Sequence, residues 1–133
     1  MSETTAHHPT ARFDYDGKGI LVVTLNDDTE LTLQDIIEQR KISARLVENK
    51  PHCVLAIAGE RTQATSEARQ YAASNIPVGR IAEAVVLKSL TVRILGNFYL
   101  QFHKPGVPTK MFDDRYEAMN WLEMQLKLTQ KKI

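Results

Sequence analysis

Ile81-Ala-Glu-Ala-Val-Val-Leu87, Ser89-Leu-Thr-Val-Arg-Ile-Leu-Gly-Asn-Phe-Tyr-Leu-Gln-Phe102, Thr109-Lys-Met-Phe112 and the run from Asp114 to about Leu126 follow one another in the second half of the chain. The first is a short apolar run rich in β-branched residues, as a strand buried on both faces requires. The second is a helix-length run that is apolar nearly all round, and Ser89 stands where a hydroxyl can cap it. Lys104-Pro-Gly-Val-Pro108 then stops the helix. Thr109–Phe112 is short enough for an edge strand. The last run starts with Asp114 and Glu117 at capping-box spacing and buries Ala118, Trp121, Leu122 and Leu126 on one face, with Lys127, Lys131 and Lys132 favourably placed at its C-terminal end. Together these form a β-α-β-α unit.

The upstream residues extend the same grammar. Ala11-Arg-Phe-Asp-Tyr15 alternates with Phe13 and Tyr15 on one side, Asp16-Gly17 is a hairpin signal, and Ile20 to Leu25 supplies the returning strand. A helix follows, capped by Thr32 with Asp35 three residues on and Leu31 able to staple against Ile36. Its periodicity puts Leu33, Ile36, Ile37, Ala44 and Val47 on the inner face and leaves Glu38, Arg40, Lys41 and Arg45 mostly off it. His52 to Ala58 is a strand covered on both faces. Thr65 or Ser66 caps a short helix through Ala73, with Ala68, Ala72 and Tyr71 inward. Residues 1–10 are small and polar without periodicity, which predicts a disordered N-terminal tail ahead of one domain over residues 11–133.

The predicted order is β-β-α-β-α-β-α-β-α. Buried strands alternating with helices imply an α/β fold with a mixed, mostly parallel sheet, and the opening hairpin is its antiparallel part.

Composition narrows the function. A net charge of +1 on 133 residues argues against a phosphate-backbone binder, so no nucleic-acid partner is expected. No apolar run reaches the roughly 18 residues of a membrane span, and the polar start lacks a signal-peptide core, so the expected location is cytoplasmic. Cys53 is the single cysteine and lies in the strand pattern, as a buried thiol does. His7 and His8 have no third metal ligand beside them in sequence, and His52 and His103 lack partners at zinc-ligand spacing. No Gly-x-Ser-x-Gly elbow is present. The reading is therefore a protein without cofactor, metal or catalytic constellation.

Two regions can bind. At the carboxyl ends of parallel strands, Arg61, Thr65 and Ser66 follow one strand, and Lys88, Ser89 and Arg93 follow the next. Helix starts, hydroxyls and cations hold anions, and they also cap helices; both readings apply here. The second region is the apolar helix. Leu90, Ile94, Phe98 and Phe102 form one stripe, and Val92, Leu95 and Tyr99 form another, where a helix lying on a sheet needs one. The extra stripe is covered by neighbouring elements, by a second subunit in a homodimer, or by a hydrophobic ligand.

The order of elements resembles the STAS domain, the anti-sigma-factor-antagonist or SpoIIAA-like fold. The sequence is closer to an uncharacterised bacterial branch of SpoIIAA-like proteins. The residues that carry the likeness, over about 11 to 126, are Arg12-Phe13 with Ile20 to Leu25, Leu31-Thr32, Ala68-Arg69-x-Tyr71, Ala84 to Ser89, Gly96-Asn97-Phe98, Lys104-Pro105 with Pro108, and Phe112 with Glu117-Ala118-x-x-Trp121-Leu122. The resemblance implies a non-enzymatic interaction or regulatory module. It also implies protein partners and, in the better-known members, phosphorylation of a Ser or Thr that follows an Asp at the start of the second helix. The matching place reads Gln63-Ala64-Thr65-Ser66-Glu67, so hydroxyls are present at Thr65 and Ser66 but Ala64 stands where the Asp would be. A self-associating module is the leading expectation, with a carrier of a small hydrophobic or anionic ligand and a phospho-regulated partner switch as alternatives.

Overall fold

The computed structural model describes residues 4–102 and 106–130, and side chains at 95 and 98–102 are outside that description. Expectations for Leu95, Phe98, Tyr99, Phe102, His103, Lys104, Pro105, Lys131 and Lys132 fall outside it. The elements are β1 (Thr5–His8), β2 (Ala11–Tyr15), β3 (Ile20–Leu25), β4 (Glu30–Leu31), α1 (Leu33–Val47), β5 (His52–Ile57), β6 (Gln63–Ala64), α2 (Ser66–Ser74), β7 (Arg80–Val86), α3 (Leu90–Phe102), β8 (Thr109–Phe112) and α4 (Arg115–Gln130).

Six strands make the main sheet in the order β1-β2-β3-β5-β7-β8, and β4 pairs with β6 in a small separate ladder. The pairs β1–β2 and β2–β3 are antiparallel; β3, β5, β7 and β8 run parallel. The α/β reading from sequence is therefore correct, with three short strands added. One addition corrects the expected tail. Thr5–His8 pairs with β2 from Thr5↔Asp14 to His8↔Ala11, and Ala6 is buried. Such a strand is hard to read because one buried alanine leaves no alternation to see.

The β2–β3 turn is set by Asp16, whose carboxylate accepts from the backbone N–H of Lys18 (2.7 Å) and Ile20 (3.0 Å). Alternation along the strands then sorts side chains to two cores. On one face Phe13, Leu21, Val23 and Val54 pack with Leu46 and Val47 of α1. On the other, Ile20, Cys53, Leu55, Ala82, Ala84 and Phe112 receive Ala118 and Leu122 of α4. The alanines let α4 approach closely, and Trp121 tilts against Phe112 with ring centroids 5.8 Å apart.

α1 begins with the expected capping box: Asp35 N–H donates to Thr32 Oγ1 (3.2 Å) and Thr32 N–H to the Asp35 carboxylate (2.9 Å). Its inner face differs from the periodicity reading. The fully buried residues are Gln39, Ser43, Leu46 and Val47, while Leu33, Ile36, Ile37 and Ala44 are half-buried. Arg40, placed off that face from sequence, is half-buried and reaches α2, donating to the carbonyls of Asn75 (2.6 Å) and Ala72 (3.2 Å). A cation at those carbonyls complements the C-terminal dipole of α2, which has no basic residue in its own last turn.

Candidate functional site

Pairing of β5 with β7 brings the two predicted anion-binding loops to one end of the sheet, joined where Ala58 N–H donates to Val86 O (2.9 Å). Apart from exposed Lys88, their polar groups are engaged within the chain. Arg61 adopts a left-handed backbone conformation (φ 58°) and clamps Asp28 through Nε and, at 2.9 Å, through Nη2, with Glu60 3.6 Å away. The guanidinium pulls the Asp28 carboxyl below its usual range. Thr65 Oγ1 accepts from Ala68 N–H (3.1 Å) and Ser89 Oγ from Val92 N–H (3.3 Å), so both act as helix caps. Exposed Ser66 accepts from Arg69 Nη2 (3.2 Å). Lys88 is exposed, and Arg93 spans Leu87 O (3.2 Å) and Asp113 (3.7 Å). At this end of the sheet Thr65 and Ser89 serve as caps and Arg61 and Arg93 as ion pairs.

The described members of both apolar stripes, Leu90, Ile94 and Val92, are exposed. α3 packs mainly on β8. There Gly96 lies against the Met111 side chain: a Cβ at that position would meet Met111 Cε at 2.6 Å. Asn97 next to it forms a paired amide clasp, accepting from Met111 N–H (3.0 Å) and donating to Met111 O (3.2 Å). Among the described side chains of α3 the inward ones are Arg93, Gly96 and Asn97, an i, i+3, i+4 set. Leu90 and Ile94 from one stripe are 62% and 59% exposed, and Val92 from the other is 51% exposed. Sequence reasoning expected one stripe to cover the sheet; instead both carry exposed members, because a small residue and an amide make the contact with the edge strand.

A second grouping was invisible in sequence. His8 of β1 stands beside Asp35 and Glu38 of α1, with potential ligand atoms of all three within 4.8 Å. Hydrogen bonds account for the arrangement. Thr10 N–H donates to His8 Nδ1 (3.1 Å), which leaves the proton of a neutral ring on Nε2, facing Glu38 Oε1 at 2.7 Å. Asp35 is occupied by the capping box. The trio ties the edge strand to α1, and the His8 and Gln34 bonds hold the Glu38 carboxyl below its usual range.

Cys53 is fully buried, its thiol pushed up to about 11 by loss of solvation. No helix among the described residues is long and apolar enough to cross a membrane.

Comparison with known proteins bears on the whole chain. No curated protein matches it by sequence. In shape it is similar to an uncharacterized protein of the DUF3478 family with a SpoIIAA-like fold from Shewanella loihica PV-4. That likeness has a TM-score of 0.57 and 12% identity, and covers 92% of this chain and 98% of the other. At that identity the likeness carries the fold, which is the SpoIIAA-like one expected from sequence. Residues 13–126 match DUF7793, a domain of unknown function, and the chain belongs to the DUF7793 family.

Proposed function

We propose that the domain is a non-enzymatic interaction module that pairs with a second copy of itself through α3. The observation that carries this reading is the exposure of Leu90, Val92 and Ile94 on a helix whose inner side is already satisfied by Met111 and Asn97. Leu90 and Ile94 lie on one side of the helix and Val92 on another, and together the three expose on the order of 300 Å² of apolar surface. Arg93, the charged residue of this helix turn, is turned inward to Leu87 O and Asp113, so the outer face presents no like charges to a second copy. An uncharged apolar face is self-complementary across a two-fold axis.

The contact is modest. A standard stable interface buries about 1,600 Å² in total, more than these three residues supply from both copies. Association should therefore depend on concentration over an accessible range.

Sedimentation velocity from low to high micromolar concentration tests the reading. The wild type should shift from monomer to dimer. Ile94→Asp and Val92→Glu, both at exposed positions, should keep the fold by circular dichroism and remain monomeric. A wild type that stays monomeric throughout, or variants that dimerise as it does, would remove α3 as the interface.

A further inference from the structure

A cavity of about 130 Å³ lies between α1, α2 and the sheet. It is polarised by the order of the strands. Phe13, Val23 and Leu25 line it from β2 and β3, while Arg80 and Glu83 line it from β7, three strands from β2. Arg40, Gln39 and Ser43 of α1 close it from above.

The arginine on β7 is there because of a bulge. Register runs from His52↔Arg80 to Cys53↔Ala82, so Ile81 is an extra residue. Simple alternation from Ala82, Ala84 and Val86 would send Arg80 to the α4 side. The bulge instead turns it to the same side as Glu83, a recognised use of such irregularities. The Arg80 side chain is 5% exposed, and its Nε–H has no hydrogen-bond partner among the described residues. Its ion pair with Glu83 is long, 3.8 Å from Nη1. A buried guanidinium donor without an acceptor is costly and uncommon. Burial and then Arg40 work against the Arg80 charge, and Glu83 supports it. Two guanidiniums against one carboxylate leave this end of the cavity with one excess positive charge.

We infer that this cavity binds a small organic acid, its carboxylate on Arg80 at the β7 end and a short apolar body against Phe13 and Val23. The side edge of a guanidinium, Nε with one Nη, is suited to a carboxylate's two oxygens. The volume is that of roughly four waters, which admits a short-chain monocarboxylate. No described residue of α3 lines the cavity, so the inference stands apart from self-association.

The test is a titration of the full chain with butanoate, its neutral isostere butanamide, and inorganic phosphate, followed by amide chemical shifts and thermal midpoint. Butanoate should raise the midpoint and move resonances of β7 and α1, and butanamide and phosphate should not. Arg80→Met should weaken butanoate binding at least tenfold. Glu83→Gln, which removes the competing carboxylate, should tighten it at least threefold; this arm holds even if the Arg80 variant fails to fold. The inference is overturned by an equal response to butanamide, by no response to butanoate, by binding of phosphate in its place, or by weaker binding in the Glu83 variant.

Discussion

Gly79→Ala is expected to cost far more stability than Gly17→Ala, although both glycines have left-handed backbones, with φ of 82° and 74°. The strain common to both is about 1–2 kcal/mol for a residue with a Cβ. It is partly offset by about 0.4–1 kcal/mol because alanine stiffens the unfolded chain. At Gly17 nothing lies within 4 Å of the added carbon, so the net loss should be about 1 kcal/mol. At Gly79 the same carbon meets the Lys50 backbone, its carbonyl oxygen first, then its carbonyl carbon at 2.8 Å and Asn49 O at 3.0 Å. Backbone cannot swing aside as a side-chain tip can. That carbonyl also accepts from the buried ring of His52 at 2.8 Å, and Gly79 O accepts from His52 N–H at 2.9 Å. Overpacking of this kind adds about 1–3 kcal/mol, bringing Gly79→Ala to about 2–4 kcal/mol. For a domain whose whole stability is about 5–15 kcal/mol, that is a large fraction. Urea unfolding followed by circular dichroism reads it directly: with a slope of about 1.5 kcal/mol/M, the midpoint should fall by about 2 M for Gly79→Ala and by about 0.7 M for Gly17→Ala. Equal midpoints in the two variants would mean that the Lys50 contact relaxes freely, and the account of the β7 entry would be wrong.

Two further outcomes are expected. The Asp28 and Glu38 carboxyls are held below their ordinary values by Arg61 and His8, so their pairs stabilise the fold above about pH 4–4.5, and that contribution is lost as pH falls through the lowered folded-state values. Asp28→Asn with Glu38→Gln should therefore flatten the acid side of the urea-midpoint profile; a profile parallel to the wild type would contradict it. With its thiol at about 11 and no exposure, Cys53 should present about one thiolate in a thousand at pH 8 even before access is considered. Labelling by a thiol-reactive dye should then track global unfolding, and rapid labelling of the native protein would show that β5 opens locally.

Legibility in the sequence followed the physics of burial. Ile20–Leu25, His52–Ile57 and Arg80–Val86 lie mid-sheet, so their apolar runs declare themselves, and the caps at Thr32, Thr65 and Ser89 use hydroxyls at fixed offsets. Thr5–His8 was missed because an edge strand needs few apolar residues. The inner face of α1 was misread because periodicity assumes that apolar means inward, whereas Gln39 is buried with its amide on Thr10 Oγ1 at 2.8 Å and Arg40 caps α2. Two signals for the cavity were nevertheless in view. Glu83 is a lone carboxylate in the middle of an apolar strand, and Gln39, Arg40 and Ser43 follow Ile36 at i+3, i+4 and i+7 on one helix face. What could not be read was Arg80, because the β-bulge that turns it inward depends on pairing with β5.

The two faces of the sheet are roofed unequally. On one face a single helix, α4, settles on Ala82 and Ala84 with Ala118 and Leu122, and small residues on both sides close the gap. On the other, α1 meets the sheet through Leu46 and Val47 near its C-terminal end, and its preceding turns present Gln39, Arg40 and Ser43. α2 packs mainly on α1, and α3 mainly on β8 through a glycine and an asparagine. A roof joined by polar and small residues leaves both a lined space beneath α1 and α2 and an unshared apolar surface on α3. Apolar residues of similar volume in place of Arg80 and Glu83 would be the cheaper solution for stability alone, since a dry packed core avoids the cost of burying a charge. The α4 face is closed by apolar packing, whereas the α1–α2 face keeps a buried guanidinium whose Nε–H has no partner among the described residues.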